Sequence, residues 1–178
     1  MTEQQLVQGC IREDRRCQKE LFARYAGKMT TVCRRYARRS VEAEDILQDA
    51  FIRIFDHIRQ FEFKGSLEGW IRRIVVNTAL KNYSKLSFQN ENTGLAEIEE
   101  GFDNPDVFSA LHEEYLLHLI SRLPDGYRLV FNLAAIEGYS HKEIAETLGI
   151  EESTSRSQLT KARRFLQLKI ADAEKITI

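Results

Sequence analysis

The sequence predicts an all-α protein: two small helical domains joined by a flexible acidic linker, with a helix-turn-helix in the C-terminal one. Three observations carry this. The 178 residues hold only two prolines and nine glycines and no strongly alternating runs, so the periodicity and punctuation of sheets are missing. Apolar residues instead recur at three- and four-residue steps. A central stretch, SFQNENTGLAEIEEGFDNP, is polar, acidic and aperiodic, which is the composition of a linker. The length permits one domain or two small ones, each with enough apolar content for a modest core.

The elements follow in order. Residues 13–38 read as one or two helices, with Leu21, Phe22, Tyr25, Met29, Val32, Cys33 and Tyr36 at helical spacing. Ser40 is placed to cap a helix running to about Ile58. Acids at Glu42, Glu44 and Asp45 suit its positive end, and Leu47, Ala50, Phe51, Ile54 and Ile58 form its apolar side. A short loop, residues 60–65, precedes a long helix from near Ser66 to about Leu86. Its core candidates are Leu67, Trp70, Ile71, Ile74, Val75, Thr78 and Leu80, and the spacing of Trp70 with Leu67, Ile71 and Ile74 favours packing over a wedge role. The first domain is thus residues 1–86, the linker 87–105 and the second domain 106–178. In the second, a helix capped near Asp106 runs to Arg122, and Leu123-Pro124 opens another through Ile136, since proline suits a first turn.

Gly138 to Ile170 is the most informative stretch. Ser140 and Glu143 form a capping box. Ile144, Ala145 and Leu148 make an apolar stripe, and Gly149 offers the left-handed conformation that ends a helix. From Ser153 to Ile170 there are five Lys/Arg and no Asp or Glu. A basic second helix after a sharp turn is how a helix-turn-helix presents a recognition helix to a major groove. The bland alternative is a helical hairpin with a solvated basic face.

Charge is segregated. The net charge is −1, yet residues 1–40 carry ten basic against four acidic residues, and residues 84–114 one against eight. The local blocks, not the sum, set the field that phosphates meet. No apolar window is long enough to span a bilayer and the polar start is no signal peptide. Cys10, Cys17 and Cys33 are odd in number, without C-x-x-C spacing, and the histidines are scattered, so half-buried thiols in a reducing compartment are expected and no cofactor or metal. No nucleophile–base pairing or Gly-rich phosphate loop supports an enzyme. A soluble, cytoplasmic protein is expected.

Two further surfaces stand out. On the helix containing AEDILQDAF, Asp45, Gln48, Asp49 and Ile52 share a face flanked by Phe51 and Phe55. That mixture suits docking on a basic partner, although a plain solvated face has the same composition. The next helix carries Arg72, Arg73, Asn77, Lys81, Asn82 and Lys85, after a loop with Phe61, Phe63 and Lys64. Cations for phosphate, amides for base edges and aromatics for an extruded base are the needs of unpaired nucleic acid.

With these residues in hand, LFARYAGKM, AEDILQDAFIRIF, GSLEGWIRRIVVNTALKNY and LPDGYRLVFNLAAIEGYSHKEIAETLGIEESTSRSQLTKAR together resemble bacterial RNA polymerase sigma factors. The two-domain layout resembles the extracytoplasmic-function (ECF) group, and the wording of NTAL and LPDGYRLVFNLAAIEGYSHKEIA is most similar to versions common in Bacteroidetes-type bacteria. The resemblance spans nearly the whole chain except the linker and the last few residues. It implies a non-enzymatic factor that lends promoter specificity to core RNA polymerase. Asp45, Gln48, Asp49, Phe51 and Phe55 would grip the β′ clamp, and the β subunit is a further implied contact. Phe63, Lys64, Gly65 and Ser66 would pocket a base flipped from the −10 element, with Arg73, Asn77, Lys81 and Asn82 along the separated strand. Ser153, Thr154, Arg156, Ser157, Thr160, Lys161 and Arg164 would read the −35 element, where duplex shape counts beside base edges. An anti-sigma factor is a further implied partner. Ser155 departs from the Val or Ile of many helix-turn-helix sequences, which is expected to loosen packing. A linker of this length reaches roughly 65–70 Å extended, enough to join domains on two separated elements. The alternative is a stand-alone helix-turn-helix regulator that binds duplex operator DNA as a dimer, with the AEDILQDAF helix at the dimer interface.

Overall fold

The computed structural model describes the backbone of residues 1–93 and 113–176, and the side chains of residues 1–83 and 114–172. Every ordered element among these residues is helical. The chain divides into two compact units, Met1–Glu99 and Glu100–Ile178.

In the first unit, α1 (Glu3–Ile11), α2 (Arg15–Tyr36), α3 (Ser40–His57) and α4 (Leu67–Thr93) pack on one another, with a single 3₁₀ turn at Ile58–Gln60. The sequence expectation begins its helices near residue 13 and leaves out α1. That helix is only nine residues long, too short to show a sustained periodicity, but a reciprocal cap fixes its start. The Thr2 hydroxyl accepts from the Gln5 N–H at 3.2 Å, and the Gln5 side chain accepts from the Thr2 N–H at 3.0 Å. Leu6, Val7 and Cys10 then go into the core. The two helices approach closely at Gly9, where a β-carbon would lie 2.1 Å from the Cys17 Sγ. Asp14 caps α2 by accepting from the Arg16 and Cys17 N–H groups at 2.8 and 3.3 Å.

The start of α3 departs from expectation. Arg39 holds the capping position and Ser40 makes no cap bond. Glu42 acts instead, accepting from the Arg38 N–H at 2.9 Å and pairing with Arg39. Leu21, Met29, Ile54, Ile58, Leu67, Ile71 and Val75 are fully enclosed where α2, α3 and α4 meet. All three cysteines are free and buried rather than half-buried. Loss of hydration pushes the Cys10 thiol up to about 11 and the Cys33 thiol up to about 12, so neither is a ready thiolate. Helix α4 continues to Thr93, past the expected domain end at residue 86. The rest of the expected linker, 94–105, and the cap expected near Asp106 lie outside the described residues.

The second unit holds α5 (Glu113–Ser121), α6 (Asp125–Phe131), α7 (His141–Leu148) and α8 (Glu152–Ile176). Pro124 is the cap residue before α6 rather than inside its first turn. The chain continues from α6 into a π-helical turn, Asn132–Ile136, closed by the Glu137 N–H donating to the Asn132 carbonyl at 2.9 Å. Leu119, Ile120, Leu123, Ala162 and Leu166 form one core cluster. Arg128, 2 % exposed, ties the α5–α6 corner by donating to the Leu123 carbonyl at 3.3 Å and to Asp125 at 2.7 Å. No helix among the described residues is long and apolar enough to cross a membrane.

Candidate functional site

Three surfaces take up the residues singled out in the sequence. The first is the outer side of α3. Asp45, Gln48 and Asp49 are exposed and make no hydrogen bond or ion pair with any described residue, while Ile46, Ala50 and Ile54 between them are buried. The face also shows Val41, 67 % exposed, and Ile52, 54 % exposed. Val41, Asp45, Gln48 and Ile52 recur at steps of four, three and four, which stacks them along one stripe. Phe51 is corrected from its expected place on this surface. It is only 3 % exposed, its ring centroid 4.7 Å from that of Phe22 and 6.1 Å from that of Phe55. Hence Phe51 supports the face from beneath, whereas half-buried Phe55 and Phe22, 44 % exposed, border it. Phe22 and Val41 extend the surface beyond the residues that the sequence reading places there. The spacing of Val41 to Asp45 and Ile52 is the signal that could have found it.

The second surface begins at the loop after the 3₁₀ turn. Phe61 is buried between two other aromatics, its ring centroid 4.9 Å from that of Phe63 and 5.7 Å from that of Trp70. Trp70 is half-buried, in keeping with a packing role. Phe63 stands 42 % exposed with φ at +58°, and Gly65 has φ at +101°. Lys64 pairs with Glu62 at 2.6 Å. Ser66 is engaged within the fold, because its hydroxyl accepts from the Gly69 N–H at 3.1 Å and so caps the start of α4. Arg73, Asn77 and Lys81 follow at four-residue steps and are all exposed, whereas Asn82 is half-buried. The inner side of the same turns is closed by Ile71, Val75, Val76 and Thr78, the last donating to the Ile74 carbonyl at 2.8 Å. The Lys85 side chain lies outside the described residues.

The third surface is the pair α7–α8. The Ser140 hydroxyl accepts from the Glu143 N–H at 3.2 Å, and Glu143 accepts from the Ser140 N–H at 2.8 Å and its hydroxyl at 2.7 Å. These bonds hold the Glu143 carboxyl below the ordinary glutamate range. Gly149 takes φ +68° and ψ +37°, turning the chain between the helices. On α8, Ser153, Arg156, Ser157, Thr160, Lys161 and Arg164 are exposed, while Thr154 is half-buried. Arg156 pairs with Glu152 at 2.7 Å, and the Ser157 and Thr160 hydroxyls donate to backbone carbonyls one turn back. Ser155 is fully enclosed, and its hydroxyl is not left without a partner. Its Oγ lies 2.8 Å from the His141 Nδ1, which joins the first turns of both helices.

This geometry agrees with comparisons to known proteins. Residues 21–88 match the profile of "Sigma-70 region 2", and residues 113–166 match "Sigma-70, region 4". The chain belongs to the sigma-70 family. Between them the two matches take in well over half of it, one in each compact unit. A sigma-E factor of the ECF group from Haemophilus influenzae is 29 % identical over 184 residues, covering 96 % of each chain. The sigma-E factor of Escherichia coli K12 is 28 % identical over 185 residues, covering 96 % of this chain and 95 % of its own. Among solved structures, the sigma factor RpoE of Bartonella quintana, in complex with the anti-sigma factor NepR, shares the fold. Its TM-score is 0.59 at 19 % identity, over 86 % of this chain and 96 % of that one. CnrH, in complex with the cytosolic domain of CnrY, aligns with a TM-score of 0.50 at 19 % identity over 94 % and 96 %. The protein is thus an ECF-type sigma factor, which binds core RNA polymerase and directs initiation at promoters. In this sigma factor, α3 and α4 fall within the region 2 match, and the helix-turn-helix within the region 4 match.

Proposed function

We propose that the three surfaces divide the steps of initiation between them. The α3 stripe of Asp45, Gln48, Asp49 and Ile52, bordered by Phe55, docks on the β′ clamp of core polymerase. The loop from Phe63 to Ser66 and the row Arg73, Asn77 and Lys81 take the separated −10 strand, with Asn82 at the margin. Ser153, Arg156, Ser157, Thr160, Lys161 and Arg164 of α8 meet the −35 duplex, with Thr154 nearer the helix interface. The division into region 2 at 1–86, a linker and region 4 at 106–178 puts these roles on separate units, the second also meeting the β subunit. The factor works by binding alone, without covalent chemistry, in the cytoplasm. The wording of its motifs supports a Bacteroidetes-type source, and the NepR complex of the Bartonella relative supports control by an anti-sigma factor.

The observation that carries the clamp assignment is the exposed, internally unpaired acidic pair Asp45 and Asp49 on an otherwise well-packed helix. Two acids at helical spacing repel each other, and neither makes an ion pair with a described residue of this unit. A basic partner would offset that repulsion. The test is co-purification with core polymerase followed by run-off transcription on genomic promoter fragments. The unmodified chain is expected to bind and to give discrete new transcripts. Asp45→Arg with Asp49→Arg is expected to abolish binding while leaving the helical signal and melting midpoint unchanged, because exposed charge reversals cost little stability. Retained binding by that variant would overturn the clamp assignment. Tight duplex binding without polymerase would instead favour the stand-alone regulator.

A further inference from the structure

We propose that the corner between α1 and α2 is a phosphate-binding surface, which holds the backbone of the separated promoter strand beyond its −10 bases. The inference rests on the −10 assignment above and goes beyond it, since the residues concerned precede the region 2 match, which begins at residue 21. Four cations, Arg12, Arg15, Arg16 and Lys19, stand within eight residues, and all four are exposed. None of their side chains makes an ion pair or hydrogen bond with a described residue.

The corner is tightly built. The Glu13 N–H donates to the Cys10 carbonyl and the Asp14 N–H to the Gly9 carbonyl, both at 3.0 Å, so Arg12 is held within a short turn of Arg15. On α2, Arg15, Arg16 and Lys19 share one face by three- and four-residue steps, opposite the buried Cys17, Leu21 and Tyr25. Like charges at such spacing repel, and the neighbouring acids do little to relieve them. Asp14 accepts from the Arg16 and Cys17 N–H groups and Glu20 pairs with Arg24 at 3.0 Å, which leaves Glu13 beside the four. A polyanion from outside the unit would offset this charge. Three of the four are arginines, whose planar fork matches phosphate oxygens. Position selects the strand. Helix α1 packs against the 3₁₀ turn Ile58–Gln60, which carries exposed Arg59 and runs directly into the loop that takes the −10 base. Phosphates leaving that loop therefore meet a basic surface on the same packed unit. Contacts of this kind position a strand and add affinity without reading its sequence.

The experiment uses the full chain assembled with core polymerase and two fluorescent single strands from the strongest promoter of the run-off assay. One is the non-template −10 segment alone, and the other adds about ten nucleotides on each side. Arg12→Gln, Arg15→Gln, Arg16→Gln and Lys19→Gln are combined, which removes the charge and keeps helix-forming side chains. The longer probe should bind this variant about tenfold less tightly than the unmodified chain. The slope of log affinity against log salt should be shallower by about 2–3, at about 0.7 for each lost phosphate contact. Binding of the short probe, co-purification with polymerase and the melting midpoint should not change. Uncharged methylphosphonate linkages in the flanks should weaken binding by the unmodified chain and affect the variant much less. An unmodified chain indifferent to those linkages would overturn the inference, whatever the variant does. So would equal salt slopes for variant and unmodified chain, or equal weakening of both probes with a fall in melting midpoint. Loss of co-purification by the variant would overturn it too, and would assign the corner to an acidic surface of the polymerase. Failure of the unmodified complex to bind even the short probe would overturn the −10 assignment and this inference with it.

Discussion

Glu143 shows how much a single side chain settles. It closes the capping box at the start of α7, and the Ser140 N–H and hydroxyl lower the pKa of its carboxyl. A depressed folded-state pKa means that the ionised form favours the fold. Its contribution is complete above the unfolded-state pKa and is lost as pH falls through the folded one. Glu143→Gln, which keeps an acceptor but no charge, should therefore lower the urea midpoint of the second unit at neutral pH. The gap between variant and parent should narrow as the pH is lowered through the folded-state pKa of Glu143. A gap that persisted in acid would mean that the charge is not what Ser140 recognises. The same residue scale holds a correction. The sequence sets Phe51 both on the apolar side of α3 and at the flank of the acidic stripe, and Phe22, arriving from α2, decides that its ring is covered.

At the scale of elements, the helix-turn-helix depends on two contacts of different kinds. Gly149 supplies left-handed backbone where a β-carbon would meet no neighbouring atom, so its requirement is conformational and not steric. Gly149→Ala should cost about 1–2 kcal/mol, read as a lower midpoint for the second unit, with the first unit unaffected. A neutral substitution would show that the turn relaxes to another geometry. The other contact, His141 Nδ1 to Ser155 Oγ at 2.8 Å, explains a residue that looks misplaced in sequence. A buried hydroxyl is costly without a partner, and the partner lies 14 positions earlier in the chain, beyond the reach of any local pattern. The first helix goes unannounced for a different reason. The helix α1 is too short to show a long periodicity, and its Thr2–Gln5 cap was its clearest sequence mark.

Two units with their own cores make a prediction about the whole molecule. Trp70 is the only tryptophan and belongs to the first unit, so its fluorescence reports that unit, whereas far-ultraviolet circular dichroism reports both. Leu133 is fully buried in the second. Leu133→Ala should cost roughly 2–5 kcal/mol there. Denaturation followed by circular dichroism should then split into two steps while the tryptophan transition stays in place. A shift of the fluorescence transition by the same amount would mean that the two cores unfold together.

The sequence by itself determined the helical class, most helix spans, the cap at Ser140, the turn at Gly149 and the stripe of Asp45, Gln48 and Asp49. All of these depend on neighbours within a turn or two, and helical periodicity writes such neighbours into the chain directly. Tertiary structure alone decided which aromatic is covered and which is presented, that Ser155 has a partner, and that Phe63 stands strained and exposed on Phe61. Those outcomes turn on a backbone angle or on atoms brought together from distant positions, and neither leaves a periodic trace in the order of residues.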